Sequence, residues 1–252
     1  MAALNGARLQ KIECAAVPVA PDEIAADAAA CFCAGAESVH VHARDAGGAH
    51  VLDAGIYREI LSEIKKRAPK LTAQITTESA GKYSPAAQSR VALEVSPSDA
   101  SVAWGEMAAD GEQNALRFYR QAAAQNIRIQ HIIRAPHEIA ALARCAKRGA
   151  LPAQNLSLLF VLGKYGGQEA RAEELAPFLG ALQQSGIAAR FAACAFGRRE
   201  TACLLAAAKA GGDCRVGLEN NIYMDSGEPA PNNAARVAEL KKKLQNAKND
   251  SL

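Results

Sequence analysis

The sequence predicts one (β/α)8 barrel, a TIM barrel of the α/β class, on three observations. Short β-branched runs alternate with longer amphipathic runs rich in Ala, Leu, Glu and Lys, the pattern of parallel βαβ units. Eight such units fit the 252 residues, an ordinary length for this barrel. Two histidines, His40 and His42, close one strand-like run, at the end of the strand where this fold places its sites. An open doubly wound sheet is the alternative, but no G-x-G-x-x-G follows the first strand.

The elements follow in order. A short opening strand lies near Ala2 to Leu4. The first helix is Pro21 to Gly35, because Pro21-Asp22-Glu23 suits a helix start. A strand from Glu37 to Ala43, a loop at Gly47-Gly48, and a helix from Ala54 to Arg67 come next. The following strands are Leu71 to Thr77, Ala100 to Ala103, Ile127 to Ile133, Leu156 to Leu162, Ala188 to Cys194 and Arg215 to Glu219. Helices between them are Pro85 to Leu93, Asp110 to Ala124, Pro136 to Arg148, Ala170 to Ser185 and Arg199 to Ala210. The last helix runs from about Asn232 to Asn246, and the polar tail from about residue 245 to Leu252 is expected to fray. No linker, low-complexity block or longer repeat interrupts the chain, so residues 1–252 read as a single domain.

Composition narrows the function. Half the residues are apolar and 22% are charged, an ordinary globular balance. A net charge of +3 gives no reason to expect nucleic acid or an anionic membrane as partner. No run of about 18 apolar residues occurs, and Met1 to Arg8 lacks the pattern of a secretory signal. The seven cysteines are odd in number and show no C-x-x-C pair, which fits reduced thiols in a cytoplasmic protein.

The chemistry concentrates in Ser38-Val39-His40-Val41-His42-Ala43-Arg44-Asp45. Strand side chains alternate between faces, so His40 and His42 share one face and Val39 and Val41 the other. The helix-covered face must be apolar and takes the valines. The histidines then face the barrel axis, where two imidazoles at i and i+2 suit a zinc ion. Glu219 alternates with Val216 and Leu218 and faces inward at the end of the eighth strand. Two histidines and one carboxylate leave a coordination position open, as catalytic sites do. Such a ligand set also accepts iron(II), manganese, cobalt or nickel. His50 and His137 read as surface residues.

His40-Val41-His42-x-Arg44-Asp45, Phe160-Val161-Leu162-Gly163-x-x-Gly166-Gly167 and Arg215-Val216-Gly217-Leu218-Glu219-x-Asn221-Ile222-Tyr223 together resemble the β-keto acid cleavage enzymes of the 3-keto-5-aminohexanoate cleavage type. The resemblance runs from about Ala2 to Leu244. It implies a zinc-dependent (β/α)8 enzyme, a homotetramer or homodimer, with one Zn2+ per chain and acetyl-CoA as co-substrate. The implied reaction takes a β-keto acid and acetyl-CoA to acetoacetate and a new acyl-CoA. His40, His42 and Glu219 match as metal ligands. Arg215, Thr76 and the position of Asn220 match as catalytic residues. Thr77, Ser101, Gly163, Gly166 and Gly167 match as substrate-binding positions.

Three departures mark the chain as divergent. Asn220 stands where family members usually have Asp, and an amide does not accept a proton at neutral pH. Asn5-Gly6-Ala7-Arg8 replaces the usual opening Thr-Gly-Ala, and the run from Arg128 to Ile133 lacks acidic residues. His131 and Asp45 are the stand-in bases to test. A metal-dependent aldolase or hydrolase that does not use CoA, and a non-catalytic barrel that binds a metal-chelated keto acid, are the competing expectations.

Overall fold

A computed structural model describes residues 1–149, 151 and 156–249. Eight strands form one curled parallel sheet in chain order: β1 (Ala2–Ala3), β2 (Ser38–Val41), β3 (Thr72–Thr76), β4 (Asp99–Ala103), β5 (Arg128–Ile133), β6 (Leu156–Leu162), β7 (Ala189–Ala195) and β8 (Asp213–Cys214). The helices are α1 (Pro21–Ala34), α2 (Ala54–Arg67), α3 (Pro85–Val95), α4 (Trp104–Met107), α5 (Glu112–Ala124), α6 (His137–Lys147), α7 (Leu175–Ser185), α8 (Glu200–Lys209) and α9 (Asn233–Asn249). Seven of the eight strands expected from the sequence, and every expected helix, are present at or near their expected positions. The tail expectation for residues 250–252 lies outside the described residues. Among the described residues, no helix is long and apolar enough to cross a membrane.

Three boundaries differ from expectation. The run before α7 opens as a 3-10 turn, Ala172–Glu174, rather than as α-helix. The short helix α4 precedes α5. The eighth strand ends at Cys214, so Arg215 to Glu219 is not regular strand. The physical reason is a turn: Asn220 and Asn221 both donate their backbone N–H to the Gly217 carbonyl, at 2.9 and 3.0 Å. Gly217 permits this approach, because a Cβ there would lie 2.2 Å from the Ala3 carbonyl oxygen.

Local chemistry explains the helix ends. Pro21 opens α1, and the Glu23 carboxylate accepts the free N–H groups of Val19 and Ala20. Asp53 caps α2 by accepting from Ile56 N–H. Gly35 ends α1 with φ 104°, which glycine adopts without steric cost.

The two faces of the sheet pack differently. Val39, Val41, Ile75, Val102, Ile133 and Phe160 belong to the large core between sheet and helices. Ala103, Ile132, Leu159, Ala192 and Cys194 form a separate apolar cluster, which adjoins Val161. Residues alternate along each strand, so this second cluster lies on the concave face. β1 bonds on both sides. Leu4 N–H donates to His40 O, Ala3 N–H donates to Val216 O at 2.8 Å, and an isolated parallel bridge joins Ala2 to Val216. A cavity of about 1020 Å³ opens at the N-terminal ends of the strands, away from the histidine pair's ring nitrogens. Among the described residues it holds no candidate metal cluster.

Candidate metal centre

β2 sets the histidine pair. Its register aligns His40 with Gln74 of β3, and Asn5 reaches across from the end of β1. The Asn5 side chain behaves as one more residue of strand: its Oδ1 accepts from His42 N–H and its Nδ2 donates to His42 O, both at 3.0 Å. His40 Nδ1 donates to Gln74 Oε1 at 2.8 Å, which leaves Nε2 as a bare lone pair. Gln74 Nε2 in turn donates to Gln130 Oε1 at 3.3 Å. Burial, followed by the charge of Arg215, holds His40 well below the usual histidine range. It is therefore the neutral imidazole that a metal ligand requires.

Glu219 arrives from the turn after β8. Leu218 fixes that turn by packing with Leu9, Val17 and Ala230, and its N–H donates to Asn233 Oδ1 at 2.8 Å. Gly6 makes room for it, since a Cβ there would lie 2.6 Å from Glu219 Cγ. Burial alone would raise the Glu219 carboxyl. The Arg215 guanidinium, donating to Oε1 at 2.5 Å, and the two imidazoles outweigh burial and hold it below the carboxylate range.

The three expected ligands therefore meet. The Nε2 atoms of His40 and His42 are 3.1 Å apart, and each lies 3.7 Å from a Glu219 oxygen. One ligand atom from each residue falls within a 4.8 Å set. A tetrahedral ion with bonds of about 2.0–2.1 Å calls for ligand separations of roughly 3.3 Å. Glu219 Oε2 is buried with no hydrogen-bond partner. Donor type, spacing and unsatisfied lone pairs all fit a divalent cation.

A cavity of about 340 Å³ opens above the triad, lined among others by His40, Thr76, Glu78, Arg134, Gly163 and Arg215. Arg215 is buried, and its Nε and Nη1 have no partner. A second cavity of about 280 Å³ adjoins it through Lys164, Tyr165 and Phe196, and Gly166, Gly167 and Asn220 line that one. Thr76 Oγ1 accepts from Glu78 N–H at 3.0 Å. Thr77 Oγ1 donates to Ser101 O at 3.0 Å, and neither Thr77 nor Ser101 is among the residues lining either cavity. Gly163 builds the strand-to-helix turn with φ +70°, where a Cβ would lie 2.7 Å from Ala170 N. Asn220 Nδ2 donates to Glu200 Oε1 and to Arg215 O, both at 3.3 Å.

The two stand-in bases lie elsewhere. His131 is buried against the Tyr119 ring, on the helix side of β5. Asp45 is exposed and accepts from Gly47 and Ala49 N–H, which shapes its own loop. His50 corrects the surface expectation: it is 6% exposed, its ring is 5.1 Å from that of His42, and Nε2 contacts Glu78 O at 3.0 Å. The loop at Gly47-Gly48 folds back and pairs His50 with Arg44, which draws it in. His137 is exposed, as expected. Sequence reasoning missed Asn5, Gln74 and Glu78, whose roles depend on partners across strands. Glu78 lines the main cavity, with Oε2 4.0 Å from His42 Nδ1 and Oε1 3.2 Å from Arg8.

A curled parallel α/β sheet that gathers a candidate metal triad and a partly unpaired buried arginine above its strand ends defines a class of small-molecule enzymes. Comparison with known proteins then specifies the family. Residues 1–251 match the beta-keto acid cleavage enzyme family, and the chain belongs to it. The chain is 25% identical over 246 residues to a 3-keto-5-aminohexanoate cleavage enzyme of Acetoanaerobium sticklandii, covering 95% of this chain and 88% of the relative. It is 27% identical over 257 residues to a 3-oxoadipate:acetyl-CoA acetyltransferase of Cupriavidus necator, covering 94% and 85%. The apo structure of ObcA aligns with a TM-score of 0.71 at 18% identity, over 92% of this chain and 62% of that one. That likeness concerns the fold alone, and this chain spans under two thirds of ObcA.

Proposed function

We propose that the chain is a zinc-dependent (β/α)8 enzyme that converts a β-keto acid and acetyl-CoA into acetoacetate and a new acyl-CoA. The observation that carries this reading is the convergence of His40, His42 and Glu219 beneath a cavity lined by Arg215, whose Nε and Nη1 are buried without a hydrogen-bond partner. The bridge from Ala2 to Val216 supports a sheet that closes on itself. The names of the two relatives support the choice of substrate class and of acetyl-CoA.

A divalent ion held by the triad would supply Lewis-acid polarisation of the keto acid's oxygens. The protein's own groups do the rest. Arg215 offers Nε and Nη1 to the substrate carboxylate and to the negative charge that develops beside it. Glu219 is engaged by Arg215, which leaves Glu78 as the cavity-lining carboxylate to take the proton from the carbon between the two carbonyls. That carbon attacks the thioester, CoA thiolate leaves, and the thiolate then attacks the original keto carbon. Cleavage of the bond between that carbon and the carbon now acylated gives acyl-CoA and the enolate of acetoacetate, which takes back the proton held by Glu78 to give acetoacetate. Gly166 and Gly167 let the arm of acetyl-CoA approach the backbone of the adjoining cavity.

The test is metal content together with a coupled acetyl-CoA assay, on the natural protein, His40→Ala/His42→Ala and Glu78→Gln. The expected result is near one zinc per chain, lost in the double variant. Glu78→Gln should retain zinc and lose about 10²–10⁴-fold in kcat. A metal-free natural protein, or turnover that does not need acetyl-CoA, would overturn the reading.

A further inference from the structure

The main cavity is unevenly charged. Its lining includes four cations, Arg8, Arg134, Lys164 and Arg215, against two carboxylates, Glu78 and Glu219. Arg215 pairs with Glu219, Arg8 with Glu78, and Arg134 with Glu106 just outside the lining, so the excess of cations rests on Lys164 and on the Arg134 nitrogens that Glu106 does not take. Lys164 is exposed and makes no salt bridge among the described residues. Both stand at the C-terminal ends of neighbouring strands, β5 and β6. The triad stands on the other side, on β2 and beyond β8. Between them lies an apolar stretch of lining, Ile132, Leu159, Val161 and Cys194.

Arg134 is built to receive something. Its Nη1 donates to Glu106 Oε1 at 2.6 Å, and Glu106 is held in turn by Ser79 N–H at 2.8 Å and Gln88 Nε2 at 2.7 Å. Gln88 is itself buried and bonded to Thr77 O. The guanidinium is thus fixed by one nitrogen, while Nε and Nη2 make no hydrogen bond among the described residues. A planar fork held in this way matches a carboxylate.

Resting on the reading above, we propose that the substrate is a β-keto acid with a second carboxylate at its far end. The keto-acid end lies at the triad and Arg215. A short hydrocarbon stretch crosses the apolar lining. The distal carboxylate pairs with Arg134, with Lys164 adding charge at the rim. The acyl-CoA product then carries a terminal carboxylate.

The test uses three β-keto acids of equal chain length, ending in carboxylate, methyl or ammonium. Acyl-CoA formation is measured on the metal-loaded natural protein, Arg134→Gln, Arg134→Glu and Lys164→Gln. Their dissociation constants are measured in parallel by calorimetry without acetyl-CoA. A charged hydrogen bond predicts a preference for the dicarboxylate of about 10- to 100-fold in kcat/KM. Arg134→Gln should erase it through KM, Arg134→Glu should move preference to the ammonium compound, and Lys164→Gln should reduce it less. Equal or better use of the methyl compound overturns the proposal. So does an Arg134→Gln loss that falls on the KM for acetyl-CoA, which would assign these cations to CoA. If no compound yields acyl-CoA, the reaction assigned above fails, and binding alone decides this proposal. Tighter binding of the dicarboxylate that Arg134→Gln abolishes upholds it, and equal binding of the three overturns it.

Discussion

Two single residues show how narrowly the site is set. Gly6 has φ +61° and faces Glu219 Cγ, so Gly6→Ala strains the backbone and displaces the carboxylate together. Metal affinity at the proposed site, measured by chelator competition, is expected to fall about 10–100-fold, with about 1–2 kcal/mol lost in stability. Asn220 gives a less intuitive case. Family resemblance suggests that Asn220→Asp would restore a missing base. In the structure the amide donates to Glu200, a buried carboxylate bonded to Arg236 and lifted to about 7 by burial against that arginine's pull. An aspartate there sets two carboxylates against each other and faces the Arg215 carbonyl. Asn220→Asp is expected to cost about 1–3 kcal/mol in urea unfolding at pH 8, less at pH 6, and to leave activity no higher. Restored turnover in that variant would contradict this account.

At the scale of elements, the helix that opens the fold is joined to the one that closes it. Asp27 of α1 accepts from Asn233 Nδ2 of α9 at 2.7 Å, and the same amide nitrogen donates to Leu4 O. Burial raises the Asp27 carboxyl from 3.8 to about 6, and the Asn233 bond only partly offsets this. Folding therefore takes up a proton between these two values. The stabilising contribution is fully present below pH 4 and is lost as pH rises through about 6. Asp27→Asn should flatten that dependence and stabilise the protein at pH 7 by up to about 2 kcal/mol, as denaturation midpoints across pH 4–8 would show. The sequence already displayed much of this layer. Strand alternation placed His40 and His42 on the concave face and Val39 and Val41 under the helices, because period-2 burial is written locally. Glu219 was identified, but as the end of a strand, whereas a glycine turn carries it. Asn5, Gln74 and Glu78 were not legible, because each acts through a partner at least 34 residues away. A single polar side chain announces nothing until strand register supplies its neighbour.

For the whole molecule, the first and last strands, β1 and β8, are the shortest, with two residues each, and an isolated bridge from Ala2 to Val216 lies where their edges approach. Gly217 lies beside that bridge against the Ala3 carbonyl, so Gly217→Ala is expected to cost about 1–3 kcal/mol and to weaken metal binding at the proposed site together with stability. Calorimetric Tm and metal content falling in parallel would separate it from Gly6→Ala, where metal is lost with a smaller thermal shift. The chain order of the strands has a further consequence in time. Two of the proposed ligands emerge early in synthesis, on and just after β2, while the third follows β8, near the end of the chain. Contacts this distant in sequence form late. A nascent chain that has not yet reached residue 219 offers an ion only two imidazoles, so capture of the ion by all three ligands reports that the sheet has been threaded to its last strand.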